Sequence, residues 1–159
     1  MKNTKKEIGP LHCLYFIYYS FTTRTDENYN ESQIHKIATY LNEWTNDKTT
    51  SRAIIKETLE WVQESQIEKS EFINVMLSMV DYLNVEEKFS LIQKELVLLH
   101  IRQISRSDGN FTENEKKYHD LLAFHFGLRL RVSSCSKKEI EETVKKIERK
   151  KIGFKIQRN

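Results

Sequence analysis

Residues 23–33 and 105–115 carry the same pattern at an offset of 82, and this repetition limits the folds open to the chain. Leu14 aligns with Leu96, Arg24 with Arg106, Asp26 with Asp108, Asn28 with Asn110 and Glu31 with Glu113. Thr23, Thr25, Tyr29 and Asn30 fall opposite Ser105, Ser107, Phe111 and Thr112. In both copies the corner joins an apolar run to an amphipathic one, which reads as a duplicated helical hairpin. Two such hairpins bury their apolar faces by packing on each other, with helices 11–23 and 87–106 buried at the centre.

The second corner shows its chemistry most openly. Asp108-Gly109 is a tight turn, because glycine supplies the positive φ of a sharp reversal. Thr112-x-x-Glu115 is a capping box: the hydroxyl takes one orphan N–H and the carboxylate reaches back to another. The first corner departs from this pattern, with Glu27 in place of the glycine and Gln33 in place of the second glutamate.

Elsewhere punctuation is scarce. Four Gly and a single Pro, Pro10, suit helices joined by short loops. The periodicity predicts an all-α fold of about seven helices. The first runs from about Leu11 to Thr23 and is apolar or aromatic on every side. Asn30-x-x-Gln33 would open the second, which continues through Ile37, Leu41 and Trp44. After a polar loop at 45–51, a third helix carries Ile54, Ile55, Leu59 and Val62 in one stripe. The fourth, roughly 68–83, aligns Phe72, Met76, Met79, Val80 and Leu83. Asn84-x-x-Glu87 would cap the fifth, which ends near Arg106. The sixth spans about 113–126 with Gly127 as left-handed C-cap and Leu128 as its apolar contact. Ser136-x-x-Glu139 opens a seventh, with Ile140, Val144 and Ile147 on one side. No stretch alternates long enough for a strand.

Three regions follow: a flexible lead-in at 1–10, a helical domain at 11–135, and a basic C-terminal helix and tail at 136–159. From Lys137 onward seven Lys and two Arg face four Glu, a balance of +5 against +3 for the whole chain. The body is therefore mildly acidic. The longest apolar run, 11–21, is too short to span a bilayer, and no signal-peptide cleavage pattern follows it. Cys13 and Cys135 stand alone, which reads as reduced thiols in a cytoplasmic protein.

The run Arg-x-Asp-Gly-x-Phe-x-x-x-Glu at 106–115, after an apolar helix, resembles the signature of the TerB-like family. These are tellurite-resistance and stress-associated all-helical domains, similar to the N-terminal domain of the co-chaperone DjlA. The resemblance covers residues 11–130 in organisation and the second corner in motif. It implies a seven-helix domain with an internal duplication; with no catalytic motif in the sequence, a non-enzymatic domain is expected. It also implies divalent-metal binding by acidic residues at the corners: Asp108, Glu113 and Glu115, with Asp26 and Glu31 from the first copy.

Carboxylates are hard oxygen ligands that suit Ca²⁺ or Mg²⁺. An EF-hand is excluded, since Ile104 and Arg106 would occupy its first two ligand positions. The competing reading is structural: Asp108 forms the turn, Glu115 completes the cap and Glu113 is a favourable first-turn charge. Arg24 and Arg106 could also neutralise the carboxylates. His119, His125 and Cys135 match no zinc module, and His12, His35 and His100 read as core or surface residues. No Gly-rich phosphate loop or nucleophile elbow occurs.

The basic tail, from Lys145 to Arg158, offers a second expectation. It would dock the chain on anionic membrane or nucleic acid, the membrane contact being peripheral and nucleic acid the less favoured, while Phe154 and Ile156 either pack back or form an exposed anchor. The interleaved Glu139, Glu141 and Glu142 favour a solvated helix face instead. Protein partners are expected but not identifiable.

Overall fold

The structure is a computed structural model that describes residues 8–25, 31–86, 89–107 and 111–147, with the side chains of 23–25 and 31–33 left out. Seven α-helices make up the fold: α1 (Pro10–Thr25), α2 (Glu31–Thr45), α3 (Lys48–Glu64), α4 (Phe72–Asn84), α5 (Leu91–Arg106), α6 (Glu113–His125) and α7 (Lys137–Lys146). A 3₁₀ turn at Lys69–Glu71 leads into α4. The described residues include no strand. None of their helices is long and apolar enough to cross a membrane.

Helix α1 is the axis of the molecule. Cys13 through Tyr18 are consecutively buried, together with Ser20, Phe21 and Thr22. A helix without a polar face has to be surrounded, and α2, α3, α4, α5 and α6 all pack on it. Phe16 meets Trp61 of α3 and Phe72 of α4 edge-on, with ring centroids 6.0 and 5.5 Å away. Helix α4 lies most closely along α1 and buries Val75 through Val80 without a break.

The duplication is visible in the packing. Helices α1 and α2 form one hairpin and α5 and α6 the other; α1 touches α6, α2 touches α5, and α1 crosses α5. That is the pattern of two units related by an approximate two-fold axis. At the crossing, the Tyr18 hydroxyl donates to Nδ1 of His100 over 2.8 Å. These residues are 82 apart, so they occupy the same position in the two copies. Equivalent positions meet where a two-fold axis passes between them. The same hydroxyl accepts from Trp44 Nε1 at 3.0 Å, and Tyr40 stacks on the His100 ring at 4.0 Å.

Several boundaries differ from the sequence reading. Helix α5 starts at Leu91, because Ser90 and Gln93 form a reciprocal capping box. Asn84 instead ends α4 and donates from Nδ2 to the His125 carbonyl; Glu87 lies outside the described residues. Nor is α5 buried all round, as Leu91, Ile92 and Leu99 are exposed. Helix α3 begins inside the expected loop, since Asp47 accepts from the Thr49 N–H as its N-cap. The Asn30–Gln33 cap and the Asp108-Gly109 turn lie outside the described residues, as do positions 1–7 and 148–159.

Other signals match. Gly127 has φ +83°, and its N–H and that of Leu128 bond to the carbonyls of Phe124 and Ala123, closing a Schellman motif. Ser136 caps α7 by accepting from the Glu139 N–H. Ile140 and Val144 are buried against Leu121 in a small second cluster that holds α7 on α6.

His100 has a measurable consequence. Burial lowers its pKa from 6.5 to about 4. Glu43 Oε2, 3.4 Å from Nε2, is itself largely exposed and offsets this little. Between the two values the unfolded chain takes up a proton that the folded chain refuses. Stability is therefore full above about pH 6.5 and falls toward pH 4, by about 3 kcal/mol in all. Denaturant titrations from pH 7 to pH 4 should show this loss, and the slope should flatten in His100→Gln. An unchanged slope in that variant would assign the loss to other groups.

Candidate functional site

The corner after α5 is built from its capping chemistry. Thr112 accepts from the Glu115 N–H at 3.1 Å, while Glu115 Oε1 accepts from the Thr112 N–H at 2.8 Å. Thus Glu115 is the predicted capping-box partner, and it is buried. Glu113 sits exposed in the first turn of α6. Its Oε1 accepts from both the N–H and the hydroxyl of Ser134, at 2.6 and 2.7 Å. Those bonds, the backbone one first, hold its carboxyl below the usual value. Arg106 lies over the Phe111 ring, 5.5 Å from its centroid.

The structure thus places Glu113 and Glu115 in one turn and gives both a hydrogen-bonding role. Asp26 and Asp108 lie outside the described residues, as does the side chain of Glu31. Among the described residues, no three His, Cys, Asp or Glu side chains group in a way that could hold a metal ion.

One turn further along α6 stands a network that the sequence reading passed over. His119 and Asp120 are both fully buried. Arg102 of α5 donates from Nη1 to His119 Nε2 at 3.0 Å, and His119 Nδ1 donates to Asp120 Oδ1 at 2.9 Å. The ring is thereby fixed as the Nδ1–H tautomer. Asp120 also accepts from the N–H groups of Val132 and Ser133, at 2.8 and 2.9 Å, and from the Ser133 hydroxyl. Desolvation raises its pKa, but the bonds from His119, Ser133 and Val132 together outweigh it and leave the value lowered. Desolvation also lowers the pKa of Arg102, with help from the Arg106 charge.

This network is a clamp. A nucleophilic site needs a base nitrogen facing a hydroxyl or thiol. Here the Ser133 hydroxyl faces the carboxylate and both His119 nitrogens are engaged. Cys13 is fully buried, and desolvation pushes its thiol pKa up, away from the reactive thiolate. A polar pair, His119-Asp120, on the α6 stripe that also carries Leu122 and Phe126 was the signal available in the sequence. A histidine flanked by an aspartate on an apolar face has to find partners inside.

No protein family, curated protein or solved structure gives a significant match to the chain.

Removing Asp120 would strand the Val132 and Ser133 amides and the His119 ring. Asp120→Ala should cost about 3 kcal/mol in denaturant unfolding. Hydrogen exchange at Val132 and Ser133 should accelerate well before the rest of α6 opens. A loss below about 1 kcal/mol with both amides still protected would contradict the clamp.

Proposed function

We propose that the chain is a non-enzymatic, TerB-like binding domain of a stress- or tellurite-resistance system. Its ligand is a divalent cation, Ca²⁺ or Mg²⁺, held at the duplicated acidic corners. The observation that carries this reading is the contact of equivalent positions, Tyr18 and His100, at the crossing of α1 and α5. It supports the reading because it pairs the two sequence copies, each of which carries one acidic corner. Asp26 and Asp108, with Glu31 and Glu113, supply the carboxylates. Glu113 has a second oxygen to offer an ion while Oε1 keeps its Ser134 bonds. Glu115, spent on the cap, contributes charge rather than coordination.

Calcium or magnesium titration followed by calorimetry and thermal unfolding tests this reading. Saturable binding and a rise in Tm are expected at millimolar metal or below, and both should disappear in Asp108→Ala. No effect on the native chain, or an undiminished effect in that variant, defeats the metal reading.

A second reading rests on α7. It buries Ile140 and Val144 while Lys137, Lys138, Lys145 and Lys146 remain exposed. Its basic face and the residues beyond it would dock peripherally on anionic membrane, with nucleic acid disfavoured. Because α7 packs on α6, charge reversal is a cleaner probe than truncation. Lys138→Glu with Lys146→Glu should abolish salt-sensitive sedimentation with vesicles containing phosphatidylserine while leaving Tm nearly unchanged. Undiminished sedimentation would clear α7 of the role.

A further inference from the structure

The segment between α6 and α7 borders a cavity of about 510 Å³, a size ordinary for small-molecule sites. Arg129, Arg131 and Lys137 stand on its wall with exposed side chains. Phe124, Leu128 and Ile140 supply an apolar part. Among the described residues, none of the three cations makes an ion pair. Arg131 gives one N–H to the Cys135 carbonyl at 3.2 Å, which orients it and leaves its charge uncompensated.

One carboxylate also borders the cavity, that of Asp120. It cannot serve the cations, because Val132, Ser133 and His119 already occupy both its oxygens. The positive N-terminal end of α7 adds to the same field, with Lys137 as its first residue. Unpaired guanidinium groups present planar, paired donors suited to carboxylate or phosphate. The apolar wall beside them suits an alkyl group.

We infer that this cavity binds a small amphipathic anion, a single carboxylate or phosphate carried on an aliphatic chain. The head lies between Arg129, Arg131 and Lys137, and the chain lies on the half-buried Phe124 and Leu128. The site is independent of the metal reading, since it uses none of the acidic corner residues.

Calorimetric titration with decanoate and with decyl phosphate, each below its micelle threshold, tests the inference. Inorganic phosphate and decanol serve as the head-only and tail-only probes. One-to-one binding of decanoate or decyl phosphate is expected, and the stronger of the two identifies the head group. Arg129→Gln and Lys137→Gln, both at exposed positions, should together weaken it by about tenfold or more without shifting Tm. Backbone amide shifts should concentrate at residues 127–137. The inference is overturned if neither amphiphile binds, or if decanol or inorganic phosphate binds as tightly. It is overturned equally if the double variant binds normally, or if the shifts fall on the exposed Leu91–Ile92 surface instead.

Discussion

Helix α1 has no face that tolerates water, and most of the molecule follows from that constraint. Burying one large aliphatic or aromatic side chain is worth about 1.5–3 kcal/mol, and α1 buries Leu14, Phe16, Ile17 and Phe21 on different sides. Only a ring of helices can cover all of them, which is why α2 to α6 each touch it. The polar groups that α1 carries inward must then find partners inside the fold. His12 Nδ1 accepts the Gly9 N–H and its Nε2 donates to Glu57; Ser20 and Thr22 turn back to the carbonyls of Ile17 and Tyr19. Tyr18 is satisfied from outside α1, by His100 and Trp44.

The approximate two-fold axis also shows where the two copies diverged. A strict repeat would place like against like at the crossing, yet Tyr18 faces His100. The difference makes a directional bond possible: a hydroxyl donor meets a ring nitrogen whose neutral form burial favours. The copies differ in their surroundings as well. The first hairpin is covered by α3 and α4, whereas the second receives α7 and α4 on α6 and neither of them on α5. Helix α5 therefore keeps a wet side, and Ile92 is 78% exposed, whereas its equivalent in the first copy, Pro10, is half-buried and Cys13 to Tyr18 are buried without a break. Apolar composition by itself marked both helices as central; it is the number of covering helices that separates them.

Legibility followed the range of the interaction. The Thr112–Glu115 box, the Gly127 C-cap and the Ser136 N-cap span six residues or fewer, and each could be read directly from the chain. Where two local signals competed, as Asn84 and Ser90 did before α5, spacing alone could not rank them. Ser90 prevails with a reciprocal partner in Gln93, and Asn84 is drawn to α6 across 41 residues. Few glycines also concealed turns. Asn46 and Gln66 take the left-handed conformation without glycine, and Gln66 closes a Schellman motif after α3. The Arg102–His119–Asp120 network was out of reach for another reason: its donors come from α5, α6 and the segment before α7. The alternation Leu128-Arg129-Leu130-Arg131 was a visible hint of an extended stretch with both arginines on one side. It was too short to count as a strand, and it forms none.

The segment after α6 has no regular structure, yet it is tied to that helix at three levels. The Schellman bonds of Gly127 and Leu128 hold it at the C-terminal end, Asp120 grips Val132 and Ser133 midway, and Glu113 holds Ser134 at the start. It therefore runs back along α6, antiparallel to it, and delivers Ser136 as the cap of α7. Two acidic side chains are consumed in doing so, and both accept backbone N–H groups that would otherwise lack partners. Among the described residues, the arginines between the fastenings, Arg129 and Arg131, form no ion pair. Their side chains stay exposed above the backbone that those bonds anchor.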